Sequence, residues 1–594
     1  MRRSTGARLV AVGGVLAIAA TACGGSSTGT PKGQASPSGG GDKASAQAFS
    51  LDDNAKGPAY DVTGHTTGGT IHLLEDADFS HLDPARIYVN NNQSVALMLE
   101  RSLTQYVEKD GKITLVGDLA TNTGVTKDGG KTWTYTLRDG TKFQDGTPIK
   151  ASDVKYAVER GFDAAYTEGP TYLYDWIAGK AGGGDFHKVY QGPYKGKELP
   201  DTLVKADDAA KTITFTFDQP RPDMPFCAAL GSTSPIQKAM DTKAKYDIMP
   251  QSTGPYMISA HQVDKSMTLV KNPNWDASTD PVRHQYVDGF SFEFGSDQLG
   301  LNKRLIAANG DDAAAMSLTT LVVPEVLKQV QTTPELQTRT VAGYTAFVLQ
   351  TNINNTRITD PEIRKALLYA WPNYQLRQLA GGPSSGDFAS TTLSPTVPGY
   401  EAFDLFDQKA NPNGQPDKAM AILKAKNKVG MTVVDGYSNT PIGQQGSVVV
   451  KAALEKAGFK VVLKPIDRKT YYDVIGKINN QLDLYGGGWG ADWPSGSTVI
   501  PPTLDGRKIS DGSANYSHYK NEAADTEMDR ISQETDLVQA GKDWAALDKK
   551  IMADVPYIPR LYDKATQVYG PKVGGIFLSK VLGEPSLNGV FLKP

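Results

Sequence analysis

The segments MTVVDGY (431–437), SVVVKAALEKAG (447–458) and KVVLKPI (460–466) decide the fold class. The outer two are short Val-rich runs that suit a pleated, half-buried surface, and the middle one has helical length and ends at a glycine. Strand, helix and strand in that order make a β-α-β unit, and such a crossover implies a parallel sheet in an α/β lobe. LDLYGG (482–487) follows as a further strand.

Outward from this unit the same two periodicities recur. TIHLL (70–74), KTWTYTL (131–137) and TITFTF (212–217) alternate, with Trp133, Tyr135 and Leu137 on one face, and read as half-buried strands. Ser152 stands before DVKYAVER, in which Val154, Ala157 and Val158 have helical spacing. Asp360-Pro361-Glu362 supplies an N-cap, a first-position Pro and a first-turn acid before IRKALLYA.

The chain has 594 residues, which at roughly 150 per domain allows about four domain-sized units. Its 62 Lys+Arg and 65 Asp+Glu leave no basic excess to neutralise a row of phosphates, so nucleic acid is not an expected partner. Two Cys make neither a disulfide framework nor a Cys-rich zinc site. None of the seven His is in H-x-x-x-H or H-E-x-x-H spacing, so no metal site and no cofactor are expected.

At the N-terminus, Arg2, Arg3 and Arg8 precede or open the uncharged run Leu9–Ala22, the pattern of a secretory signal. Ala20, Thr21 and Ala22 before Cys23 resemble a bacterial lipobox, although Ala20 stands where Leu is commonest. The expectation is a lipoprotein signal peptide over 1–22, with Cys23 the lipid-bearing residue. Cys227 is then the only thiol left, and loss of three Arg takes the formal charge from −3 to −6. Gly24 to about Gly64 is Gly, Ser, Thr, Pro, Ala and Lys with hardly an aromatic residue, which predicts a flexible tether over 23–66. Beyond it no window approaches the roughly 18 apolar residues of a membrane span.

Several short motifs fail on context. Gly382-Pro383-Ser384-Ser385-Gly386 fits G-x-S-x-G, but a nucleophile elbow needs a strand before the Ser and a helix after it, and here a helix precedes and a loop follows. Gly130-Lys131-Thr132 lacks the first P-loop glycine and leads into a strand, so it reads as a hairpin turn. Gly486–Ala491 fits G-x-G-x-x-A, yet Asp492-Trp493-Pro494 falls where a dinucleotide-binding helix would run. Glycines at a strand end let another backbone approach, and Trp489 with Asp492 adds an aromatic wall and a fixed charge, a combination suited to an extended ligand carrying an amine. A strand-ending turn with a packed Trp accounts for the same residues equally well.

Six ordered blocks carry a resemblance to the family 5 extracellular solute-binding proteins of ABC importers. They are HLDPA (81–85), WTYTLRDGTKFQDGTPIKASDVKYAVER (133–160), STGPY with KNPNW (252–256 and 271–275), DPEIRKALLYA (360–370), GWGADWP (488–494) and ADVPYIP (553–559). Two positions depart from the family pattern: Trp371-Pro372-Asn373 after the helix, and Pro494-Ser495-Gly496 after Asp492-Trp493.

The resemblance implies an α/β, two-lobed, periplasmic-binding-protein-like (type II, Venus-flytrap) fold with an extra domain inserted in lobe one. Lobe one takes 67–95, 206–298 and 563–594, the inserted domain 96–205, and lobe two 299–562. It further implies a non-enzymatic receptor on the outer face of the cell membrane. Such a receptor, with a monomeric body, binds an oligopeptide as an added strand between closing lobes and delivers it to the transmembrane subunits of a permease. By residue match, Tyr88, Val89 and Asn90 flank the ligand on one side, Gly488, Trp489 and Gly490 on the other, and Asp492 receives the peptide ammonium. Tyr172 matches an aromatic residue that the inserted domain turns toward the ligand, and the partner of the ligand C-terminus has no match. A non-peptide solute such as an oligosaccharide or metal chelate, a signalling peptide, and more distantly a secreted serine hydrolase using Ser384 stay open.

Overall fold

The computed structural model describes residues 49–166 and 168–594. Cys23, the signal segment and the first part of the expected tether lie outside them. Among the described residues no helix is long and apolar enough to cross a membrane.

Two small sheets and one helix pair make up the inserted domain. Strand β1 (Phe49–Asp52) runs parallel to β4 (Lys112–Gly117), which pairs antiparallel with β3 (Thr104–Lys109). Strands β5 (Thr132–Thr136), β7 (Thr212–Thr216) and β6 (Val204–Asp207) form the second sheet in that order. As their alternation predicts, Trp133, Tyr135, Ile213 and Phe215 turn into one core, against α2 (Ala151–Gly161) and α3 (Tyr172–Gly182). Helix α2 starts one residue before Ser152: Asp153 accepts from the Lys150 N–H at 2.9 Å, while the Ser152 hydroxyl is spent on Asp208. Gly129 and Gly130 adopt positive φ in the turn ahead of β5, and Val125 bridges Thr134, so this is the expected hairpin.

Lobe one is a five-stranded sheet in the order β11 (Ala315–Met316), β2 (Thr70–Glu75), β10 (Gly289–Phe294), β9 (Ser266–Lys271) and β8 (Tyr256–Gln262). Lobe two is six-stranded: β13 (Gly386–Phe388), β17 (Tyr557–Val568), β12 (Thr340–Ile353), β16 (Leu484–Gly490), β14 (Thr432–Ser438) and β15 (Lys460–Ile466). The β-α-β unit is here, with β14 parallel to both β15 and β16 and its helix, Pro441–Lys456, capped by Thr440. Helix Pro361–Tyr369 begins at the expected cap, where Asp360 accepts from the Glu362 N–H at 2.9 Å. These elements form the two-lobed type II α/β fold with an inserted domain.

Several expected limits fall inside paired elements. β1 belongs to the stretch expected as tether, yet it extends a sheet, and Tyr60 donates to the Glu108 carbonyl. The limit at 205/206 cuts β6, whose hairpin partner β7 also packs in the inserted domain. The limit at 298/299 assigns to lobe two β11, which pairs with β2, and Leu301 and Leu305, which pack with Leu74. The limit at 562/563 cuts β17, which stays paired with β12 as far as Val568.

Buried ion pairs join the parts. The Asp83 carboxylate of the HLDPA block takes both Nη groups of Arg160 on α2, at 2.9 and 2.8 Å, with both side chains fully buried. Arg101 and Arg283 alternate with Asp118 and Asp280 in a second buried cluster, at 2.7 Å for Arg101–Asp118 and 2.8 Å for Arg283–Asp118. Burial alone would raise the Asp280 carboxyl, but Arg101 and Arg283 outweigh it and hold it well below the usual range. The STGPY block locks the C-terminal end of α1 (Asn90–Leu99): Ser252 donates to the Leu99 carbonyl at 2.6 Å, and a Cβ on Gly254 would lie 2.6 Å from the Met98 oxygen.

Removing one partner of a fully buried pair strands the other charge, which costs about 3–5 kcal/mol. Asp83→Ala is expected to lower unfolding stability by that amount in denaturant titration. The exposed substitution Val89→Ala should stay within about 0.5 kcal/mol of the natural protein.

Candidate functional site

The glycine run is part of β16 itself, which continues to Gly490 where the sequence places its end at Gly487. Antiparallel pairing with β12 covers the whole strand, from Ile353↔Leu484 to Phe347↔Gly490. The parallel ladder with β14 covers only Leu484 and Tyr485. Gly486–Gly490 is therefore half-buried, with one edge that carries no strand. The close approach seen here is from the protein's own side: a Cβ on Gly487 would sit 2.8 Å from the side-chain nitrogen of Asn352, which would have to shift.

Beyond Gly490 the chain folds back on itself. The Trp489 indole N–H donates to the Thr498 carbonyl at 2.7 Å, and the Asp492 N–H donates to the Thr498 hydroxyl at 3.1 Å. This loop holds Asp492 opposite two hydroxyls from other parts of the molecule. Tyr88, just before α1, donates to Asp492 Oδ2 at 3.1 Å, and Tyr172, the first residue of α3, donates to the same oxygen. Burial pushes the Asp492 carboxyl up to about 6, against the lowering effect of the Tyr172 and Tyr88 hydrogen bonds. Burial and the neighbouring carboxylate raise both phenols, so they remain neutral donors.

Of the expected residues, then, Tyr88, Tyr172 and Asp492 converge, and Gly488, Trp489 and Gly490 form the strand leading to them. Val89 caps α1 with its side chain exposed, and the Asn90 amide donates to the Leu582 carbonyl at 2.6 Å, so neither bonds to Asp492.

Trp493 was not singled out by the sequence. It is 2% exposed and packs in the core of the inserted domain, edge-on to Tyr172 at 4.6 Å between ring centroids and 6.0 Å from Trp176. Its indole N–H faces Asp223 at 3.3 Å and Ser497 at 3.2 Å, and the Ser497 hydroxyl donates to Asp223. One lobe-two side chain is thus seated in a core made by another part of the chain. The signal lay in the large apolar residue next to Asp492, whose loop neighbours Trp489 and Ala491 pack against a different core.

Ser384 lies in a 3-10 turn, where its hydroxyl accepts from the Gln331 amide at 2.6 Å, and among the described residues no histidine bonds to it. Cys227 is buried, and burial raises its thiol far above the reactive range.

Comparison with known proteins identifies relatives along most of the chain. The probable D,D-dipeptide-binding periplasmic protein DdpA of Escherichia coli (strain K12) is 26% identical over 496 residues, covering 81% of this chain and 86% of that protein. The solved structure of clavulanic acid biosynthesis oligopeptide binding protein 2 superposes with a TM-score of 0.82 at 27% identity, covering 91% of this chain and all of the other. The Helicobacter pylori periplasmic binding protein DppA, solved in complex with the peptide STSA, shares the fold at a TM-score of 0.67 and 19% identity. Residues 114–511, well over half of the chain, match the profile of the bacterial extracellular solute-binding proteins, family 5 Middle. The chain belongs to the bacterial extracellular solute-binding proteins of family 5.

Proposed function

We propose that this protein is the oligopeptide receptor of an ABC importer, holding an extended peptide along the open edge of β16 with the peptide ammonium on Asp492. The observation that carries the reading is a half-buried carboxylate, with two neutral hydroxyls as its side-chain partners, at the end of a strand whose second edge pairs with no strand among the described residues beyond Tyr485. Main-chain hydrogen bonds to that edge would supply affinity with loose side-chain choice, as in strand addition generally. A bound ammonium would give Asp492 the opposite charge it lacks, since both of its side-chain partners are neutral hydroxyls. The peptide named with the H. pylori structure and the dipeptide and oligopeptide named for the other relatives support the same ligand class.

In this reading the inserted domain and lobe two close on the ligand through Trp493, and the closed form is what a permease recognises. The domain partition is drawn accordingly, with β6, β7 and the segment to about 230 in the inserted domain and lobe two limited to about 340–568. Anchoring through Cys23 completes the proposal. Replacing Cys23 with Ser should abolish incorporation of labelled fatty acid and release the protein into the medium.

Truncating one member of a buried charge pair costs about 2–5 kcal/mol, so Asp492→Ala is expected to weaken peptide binding roughly 30- to several-thousand-fold. Calorimetry with a tripeptide tests this, and unchanged affinity would remove Asp492 from the site. The pH dependence has a defined sign. Only the ionised carboxylate attracts an ammonium, and the ionised fraction falls as pH drops through about 6. Affinity at pH 5 should therefore be about tenfold below that at pH 7, and the dependence should vanish in Asp492→Asn. Native mass spectrometry of the purified protein is expected to show a copurified peptide.

A further inference from the structure

Asp492 also lines a cavity of about 80 Å³. That is several times the ~10–15 Å³ that one ordered water requires. The walls come from α1, β3, the turn at 229–234 and the C-terminal segment 577–588, and Asp492 is the one lining residue from lobe two. Glu100, Glu108 and Asp492 line it, and among the described residues no Lys, Arg or His does.

Glu108 is already held by the Ser579 hydroxyl and the Lys580 N–H. Three other groups are not. The Ser94 hydroxyl, 1% exposed, and the Tyr106 hydroxyl have no hydrogen-bond partner among the described residues. Neither oxygen of Glu100, 5% exposed, makes a bond of ordinary geometry, although the Ser234 hydroxyl stands beside it. Buried polar groups in native folds are almost always paired, so a cluster of unpaired ones around a space points to a partner that the chain does not itself provide. A carboxylate and two hydroxyls around a space that Arg160 and Arg283 approach only from behind Glu100, without lining it, suit a group that is positive and rich in N–H donors. Among the described residues no three His, Cys, Asp or Glu side chains converge as metal ligands do, which favours an organic cation.

We propose that this cavity is a second cation subsite, taking an ammonium or guanidinium group of the ligand on Glu100, Ser94 and Tyr106. The inference rests on the peptide reading: with the peptide ammonium on Asp492, a cationic first side chain is the part of the ligand able to reach the cavity. Burial, reinforced by Asp83 and opposed by Arg283 and Arg160, raises the Glu100 carboxyl well above the usual range. Glu108, Asp492 and the hydroxyls of Tyr60, Tyr106 and Tyr246 are the other titratable groups around it, and Asp223 and Cys227 act on the Tyr106 hydroxyl from the inserted-domain core. Filling of the cavity by a cation should then release a proton, visible as a dependence of binding heat on buffer ionisation enthalpy.

Calorimetry on the full protein with Arg-Ala-Ala, citrulline-Ala-Ala and Ala-Ala-Ala tests the subsite. The Arg peptide should bind at least about tenfold more tightly than its neutral citrulline analogue. Glu100→Gln and Tyr106→Phe should each shrink that ratio toward one and leave Ala-Ala-Ala unaffected. The second variant keeps the ring and so serves if Glu100→Gln does not fold. Equal affinity for the Arg and citrulline peptides in the natural protein, or a ratio that survives in folded variants, overturns the proposal. Agmatine, a guanidinium with no peptide bond, separates the two readings if Ala-Ala-Ala fails to bind. Agmatine binding lost in Glu100→Gln keeps the cation cavity and removes the peptide reading, and no agmatine binding removes the cavity as well.

Discussion

The fully buried pair between Asp83 and Arg160 is the interaction on which the site depends. It ties the segment after β2 to α2, and each of these leads within a short distance to a tyrosine that donates to Asp492. Tyr88 follows Asp83 by five residues, and Tyr172 opens the helix after α2. The Arg101, Asp118, Asp280 and Arg283 cluster ties the chain after α1 and β4 to the segment before β10 at a second place. Replacement of such pairs by apolar residues is often neutral or stabilising, so their value here lies in the geometry they impose.

The fold was legible because both periodicities were intact where it mattered. Val-rich strands around a helix identified the α/β lobe, and alternation over Trp133, Tyr135 and Leu137 identified a sheet face that the inserted domain does bury. Several family blocks have plain physical jobs: Asp83 pairs with Arg160, Gly254 permits close packing on α1, and Asp360 caps its helix. What stayed hidden was long-range. Strand β1 has a weak local pattern and exists because β4 offers an edge, and β11 is two residues long and gains its identity from β2.

The site was legible in part for the same reason. Asp492 and the glycine strand stand together in the sequence, and the residue match brought Tyr88 and Tyr172 to them. Trp493 escaped because its burial depends on a core built more than 250 residues earlier, around Asp223 and Phe217. Likewise Ser94, Glu100 and Tyr106 have no sequence signature as a group, since a shared cavity is a property of how α1 and β3 pack.

The vacant edge of β16 has a cost that its usefulness hides. A strand edge that accepts a foreign extended chain does not by itself distinguish a nutrient from a neighbouring copy of the same protein, or from any unfolded segment nearby. Many proteins guard such edges with Lys, Pro or a bulge, none of which suits a surface proposed to bind main chain. Here the guard is composition and position: four of the five residues are glycine, the poorest template for stable sheet growth, and all five are half-buried. Resistance to edge-to-edge association is thereby built into the strand itself.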